Sequence, residues 1–301
     1  MLARLASLLP RFLRRRVWLG QMGFDPATVE GVTFKIATTA RERLQAHELL
    51  HDAYVGRKIA RRSATGLRVP LHALLPTTTL FVGVREGRVV GTISLVEDSP
   101  LGLPLEEAYP ADLARLRGHS PGRYAEVGSL AVADEVRRRG VCLMLYNIMY
   151  RWAHRRRVDR LVIGVNPRIE DLYRSVLLFE RFGAPRASYS QKLASAPVVA
   201  LSHDMTTSRE RFRALYGSGP TDGDPVRNLH HFFVAREIPG LELPRGTAIL
   251  AWGEAALARF LEEHPVCLEG LGADERERLA RSLNPRVAKP FRPALAAAKL
   301  A

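Results

Sequence analysis

The chain has 301 residues, 47% of them hydrophobic, with 45 Lys and Arg against 31 Asp and Glu and a formal net charge of +14. That length suffices for one large domain, or one domain with a substantial extension, and no run of about 18 apolar residues could span a bilayer as a helix. The basic excess, mostly arginine, suits an acidic partner (nucleic acid, anionic lipid, a phosphorylated cofactor or an acidic carrier protein) unless it reflects an arginine-rich coding bias. Cys142 and Cys267 alone argue against a disulfide framework and fit a reduced cytoplasm.

Residues 1–20 interleave Leu2, Leu5, Leu8, Leu9, Phe12 and Leu13 with Arg4, Arg11, Arg14, Arg15 and Arg16. A secretory signal needs an unbroken apolar core and a small-residue cleavage site, and the stretch has neither. It reads as a basic amphipathic helix in an N-terminal arm, residues 1–31. The arm either lies on an anionic membrane surface, peripheral at the inner membrane, or packs on the domain.

From Val32, VTFKIA reads as a strand and Thr39 to Lys58 as a helix, with Glu42 at the capping-box spacing from Thr39. Ile59 to Pro76 carries arginines and prolines, too polar and broken for core, and reads as a loop over a site. TTTLFVGV and RVVGTISLV form a hairpin through Arg85-Glu86-Gly87. A turn-rich stretch, DSPLGLPLEEAYP, and a short helix from Ala111 to Arg117 lead on to the centre of the chain.

That centre runs from Tyr124 to Gly183. The strand YAEVGSLAV carries Glu126, and a Glu-Val-Arg-Arg-Arg-Gly turn leads into a helix striped by Val141, Leu145, Ile148, Met149 and Trp152. The strand DRLVIGV follows, then a helix over NPRIEDLYRSVLLFERFG. Arg137, Arg138, Arg139 and Gly140 at a helix N-terminus make a phosphate site, because unpaired N–H groups and the helix dipole favour an anion. The alternative is a solvated basic turn. The element order gives an α/β (α+β) domain, its mixed central sheet antiparallel in the N-terminal half and closed by a parallel crossover.

This order resembles the GNAT acyltransferase fold, and RRRGVC resembles its cofactor signature, Gln/Arg-x-x-Gly-x-Gly/Ala. Arg137 and Gly140 match it, while Cys142 replaces the final small residue. Asn166, Tyr173 and Phe179 follow the GNAT order on the last helix. From about Phe34 to Met205 the chain is similar to the long-chain N-acyl amino acid synthases, relatives of the acyl-homoserine-lactone synthases. The residues that carry this are HELLHDAYVGRKI, the Asp-Ser-x-x-Gly-Leu-Pro stretch, the Glu-Val-x-x-Leu-Ala-Val strand and VIGVNPRIEDLYRSVLLFERFGAP. The resemblance implies an N-acyltransferase that moves a long acyl chain from acyl carrier protein to the α-amine of an amino acid. The co-substrate is then an acyl-phosphopantetheine thioester, on the carrier protein or on CoA. Related synthases often have Arg after Glu-x-Ser; this chain has Gly128-Ser129 followed by Leu130, which argues against a lactone synthase.

Acyl transfer from a thioester needs a free amine, a polarised carbonyl and a protonated leaving thiolate. Glu126 is the candidate proton acceptor, against the reading of a strand glutamate paired with an arginine. Backbone N–H groups near Leu130 to Val132 polarise the carbonyl if the strand bulges there. Tyr173 either donates its phenol proton to the thiolate or is a core tyrosine with a satisfied hydroxyl. Asn166 caps the last helix or binds the pantetheine amide. Arg151, Arg155, Arg156, Arg157 and Arg160 either dock an acidic carrier protein or complement a helix C-terminus.

The acyltransferase domain is expected over residues 32–205 and a mainly helical extension over 206–301. The extension holds RERFRALY, a linker from Gly217 to Pro225, HHFFVA, and helices near Trp252 to Glu263 and Ala273 to Leu283. His230 and His231 are adjacent, a poor spacing for one metal, so no metal is inferred. Two other readings remain: an acetyltransferase using acetyl-CoA, and a non-enzymatic basic module holding nucleic acid or membrane. Against nucleic acid, interleaved exposed aromatics and a recognisable binding motif are lacking.

Overall fold

The computed structural model describes residues 10–22, 29, 31–137, 139–189, 196–217, 233, 240–246, 252–264 and 272–283. Its first half follows local sequence rules closely. Helix α1 is Arg11–Met22, strand β1 is Thr33–Ile36 and helix α2 is Ala40–Gly56. Thr39 caps α2 as its spacing predicts: its Oγ1 accepts from Glu42 N–H, and the Glu42 carboxylate accepts from Thr39 N–H. Strands β2 (Thr78–Arg85) and β3 (Arg88–Glu97) form the expected hairpin, with Glu86 and Gly87 both at positive φ, as a tight two-residue turn requires. Helix α3 (Pro110–His119) leads to β4 (Tyr124–Val132), helix α4 (Val141–Arg155) and β5 (Arg160–Val165).

The expected long helix from Asn166 onward is a correction. Only a 3-10 turn, Pro167–Ile169, and the short helix α5 (Glu170–Ser175) form there. Leu178 then takes a positive φ, and Glu180–Arg181 becomes strand β6, paired antiparallel with β7 (Val199–Asp204). Tertiary pairing overrides the helical period here, and Phe179 lies beyond the helix. Strand β7, which local pattern did not announce, pairs antiparallel with β5 over its whole length. Helix α6 is Ser208–Tyr216, strand β8 Leu241–Glu242, and helices α7 and α8 are Glu254–Glu263 and Ala273–Ser282.

Among the described residues one mixed sheet results, ordered β6-β7-β5-β4-β3-β2-β1-β8. Helix α4 packs on one face against Phe34, Phe81, Ile93, Leu95 and Val127, and is buried nearly all round. The opposite face holds α2 against Leu80, Val82 and Val89, and α3 against Val96, Tyr124 and Val162. Trp152 is completely buried, and its indole N–H donates to Thr79 Oγ1 at 3.1 Å.

The described part of the N-terminal arm packs on the domain. Trp18 and Leu19 join the main core, and the Trp18 indole N–H and the Arg14 guanidinium both donate to Asp171. Residues 1–9 of the predicted arm lie outside the described residues. The expected boundary at residue 205 falls within the core, because Phe212 and Tyr216 of α6 are buried with α4 and β8 pairs parallel with β1. Helices α7 and α8 pack Leu257, Phe260, Leu261 and Leu279 on Leu74, Leu75 and Leu101, and the Trp252 N–H donates to Ala73 O at 3.2 Å. The expected linker and HHFFVA lie almost wholly outside the described residues. No described helix is long and apolar enough to cross a membrane.

Candidate active site

The site follows from how β4 parts from its neighbours. Its parallel pairing with β5 stops at Glu126 opposite Val162, although both strands run on. On the other side, the β3 register passes from Ser94–Gly128 to Thr92–Ala131, so β4 carries one extra residue there. Ser129 takes a positive φ in that bulge. The bulge turns β4 away from β5 and opens a cleft of about 580 Å³ between them. Gly128, Ser129 and Leu130 line one side and Ile163, Gly164 and Val165 the other. Strand-edge backbone groups therefore face an open space rather than a ladder.

Glu126 projects into this cleft and is almost fully buried. Leu105 N–H donates to its Oε2 at 2.6 Å, and the Tyr189 hydroxyl donates to its Oε1. No described cation pairs with it. Burial raises its pKa to about 8, against the lowering effects of the Tyr189 and Leu105 hydrogen bonds. The Asp98 to Pro104 stretch, a plain turn by sequence, delivers that Leu105 N–H. Ser99 Oγ accepts from Leu101 N–H, Glu106 accepts from Leu103 N–H, and Arg117 clamps Asp98 and Glu106 together. Gly164 makes room for Tyr189, since a Cβ there would stand 2.5 Å from its ring.

Deeper in the cleft Tyr146 of α4 donates its hydroxyl to that of Tyr173 at 2.9 Å, the rings meeting edge to face. Burial pushes both phenols above their ordinary range. Tyr54, at the end of α2, lies under the Arg68 guanidinium, 5.0 Å from ring centroid to Cζ. The Ile59 to Pro76 loop walls the cleft through Ile59, Arg68, Pro70, His72 and Ala73, as a loop over a site should. Arg57, Lys58 and Arg168 add three exposed cations.

Of the residues singled out by sequence, Glu126, Leu130, Asn166 and Tyr173 line this one cleft. Asn166 Oδ1 accepts from Arg168 N–H at 2.9 Å, so it caps the 3-10 turn. Val132 does not line the cleft; past the bulge it stands opposite Gly91 of β3. Gly140, at φ 77, starts α4 with no side-chain cap, leaving the first-turn amides uncovered. Arg137 pairs with Asp134, and neither it nor Arg139 lines the cleft; Arg138 lies outside the described residues. The arginines at the far end of α4 are partly engaged: Arg156 on Glu97, Arg160 on Asp204 and Arg155 on Pro244 O. Sequence reasoning missed Tyr189, Tyr54, Arg68 and Leu105 N–H. The last three lie in or beside stretches it had marked as motif or loop, but nothing local pointed Tyr189 at Glu126.

A family described as N-acyl amino acid synthase FeeM matches residues 45–204. The solved structure of FeeM, an N-acyl amino acid synthase from uncultured soil microbes, superposes with a TM-score of 0.52 at 24% identity, covering 60% of this chain and 93% of that one. BjaI, a CoA-dependent acyl-homoserine lactone synthase solved with SAM and isopentyl-CoA, gives 0.52 at 15% identity, covering 73% and 97%. No curated protein matches the chain. These structures share its fold, the GNAT-like mixed sheet with flanking helices. The chain is an acyltransferase that belongs to the N-acyl amino acid synthase FeeM family.

Proposed function

We propose that the protein transfers a long-chain acyl group from the phosphopantetheine thioester of an acyl carrier protein to the α-amine of an amino acid. The observation that carries this reading is the β4–β5 cleft itself. Apolar walls suited to an acyl chain, one buried carboxylate with no counter-ion among the described residues and a cationic rim suited to phosphate occur together there. The thioester extends between the strands, with its carbonyl oxygen against the N–H groups of the bulge at Ser129 and Leu130. The pantetheine phosphate sits at the uncapped start of α4, near Gly140, with Arg57, Arg137 and Arg139 as its cations. Asn166, at the rim, is within the same run of polar groups for the pantetheine amide.

Glu126 takes a proton from the ammonium group of the acceptor, directly or through water. Its raised pKa, about 8, makes it a stronger base than an ordinary carboxylate, so taking a proton from an ammonium group costs less. The amine nitrogen then attacks the carbonyl carbon, the C–N bond forms, and the tetrahedral oxyanion collapses with cleavage of the C–S bond. The nitrogen loses a second proton, which ends on the leaving thiolate, while the proton on Glu126 returns to solvent. Tyr146 donates to Tyr173, which leaves the Tyr173 proton to hydrogen-bond the departing sulfur. Burial holds that phenol well above the thiol range, so Tyr173 stabilises the thiolate by hydrogen bonding rather than full transfer.

Mass spectrometry of lipid extracts from cells expressing the wild type or Glu126→Gln tests the reading. A series of N-acyl amino acids present only with the wild type supports it. Soluble, folded protein that yields none, with amino acids supplied, overturns it, and acetyl-CoA becomes the donor to test.

A further inference from the structure

Among the four cations that line the cleft, Arg57, Lys58 and Arg168 are exposed and Arg68 is half-buried. Arg68 sits where the Ile59–Pro76 loop rejoins α2, its backbone N–H donating to His47 O at 3.2 Å. Its guanidinium carbon stands over the Tyr54 ring, 5.0 Å from the centroid, and no described acidic side chain pairs with it. Tyr54 feels the positive charges of Arg68 and Arg57 and the negative charge of Glu126, so these groups share one chamber. A guanidinium withdrawn from water without a counter-ion carries a desolvation cost that a bound anion offsets. Stacking on an aromatic ring leaves its N–H fork free for a carboxylate.

We propose that Arg68, held against Tyr54, binds the α-carboxylate of the acceptor amino acid while Glu126 receives the proton of its α-ammonium group. This rests on the amide-forming reading above and sharpens it to a zwitterionic acceptor. An α-amino acid carries a cation and an anion on one carbon, and the chamber supplies one carboxylate, Glu126, and one half-buried guanidinium, Arg68. The exposed cations at the rim remain for the phosphate of the donor. Primary amines that lack the carboxylate satisfy Glu126 but leave Arg68 unpaired.

The test is steady-state thiol release from a saturating acyl thioester, with an accepted amino acid and its decarboxylated amine as rival acceptors, for example phenylalanine and phenethylamine. The wild type should favour the amino acid, and Arg68→Gln should raise its KM by about 30-fold or more with little change in kcat or in the KM of the amine. Arg68→Lys, which keeps a cation and much of the packing on Tyr54, should fall between. Equal losses with both acceptors in both variants, a rise confined to the KM of the donor, or a wild type that uses the amine as well as the amino acid each overturn the proposal while the acyl-transfer reading stands. A wild type that gives no amino-acid-dependent thiol release, with any amino acid and with either acyl carrier protein or CoA as donor, overturns that reading itself.

Discussion

Glu97 and Glu126 stand one register step apart on neighbouring strands, Glu97 opposite Ala125 and Val96 opposite Glu126. Both are buried, on opposite faces of the sheet. On the α4 face Glu97 accepts from Arg156 Nε at 2.7 Å, from Arg156 Nη2 at 3.1 Å and from Arg123 at 3.1 Å. On the other face Glu126 has a phenol and an amide but no described cation. One carboxylate is thus a neutralised strut. The other is held near the neutral form at physiological pH, poised for proton transfer. An arginine-rich chain can pair any glutamate, so a buried one with no described cation is informative.

The comparison breaks first at activity. Glu126→Gln keeps shape and a hydrogen bond to Leu105 N–H, and should lower kcat by about 10²- to 10⁴-fold, the range of a lost general base. Glu97→Gln should leave kcat per folded molecule within about threefold of wild type, as measured after correction for folded fraction, because Glu97 touches nothing in the cleft.

Stability should move the other way. Glu97→Gln strands two guanidinium groups and should cost about 2 kcal/mol in a denaturant titration. The folded-state pKa of Glu126 lies above its ordinary value of 4.5, so its contribution to stability is complete below about pH 4.5 and is lost as pH rises through about 8. Glu126→Gln should therefore melt above the wild type, with a gap that widens between pH 5 and 8. A constant gap across that range would remove the claim that burial dominates this carboxylate.

Smaller effects sharpen the picture. Tyr189→Phe removes a hydrogen bond that favours the charged form of Glu126, so the ascending limb of kcat/KM should shift to higher pH, with about tenfold loss at pH 7. Arg57→Ala should raise the KM of the acyl donor by a few fold, more at low salt than at high, with stability unchanged within about 0.5 kcal/mol.

The sequence by itself determined the local architecture: the Thr39 capping box, the Glu86-Gly87 hairpin, the apolar stripe of α4 and the parallel crossover from β4 to β5. Each depends on contacts within a turn or two, or on a period that the chain displays along its length. Glu126 was legible too, because a carboxylate on the central strand of a recognisable motif stands out among apolar residues. Tertiary structure alone decided what that carboxylate meets. The bulge at Ser129 left Gly128, Ser129 and Leu130 along the cleft and set Val132 opposite Gly91 of β3. The pairing of β6 with β7 ended the expected last helix at Ser175 and set the edge of the sheet. Tyr189 reaches Glu126 from a residue 63 positions away, over a glycine whose missing Cβ admits its ring. Such contacts depend on which surfaces a folded sheet brings together, and no local period or propensity encodes that.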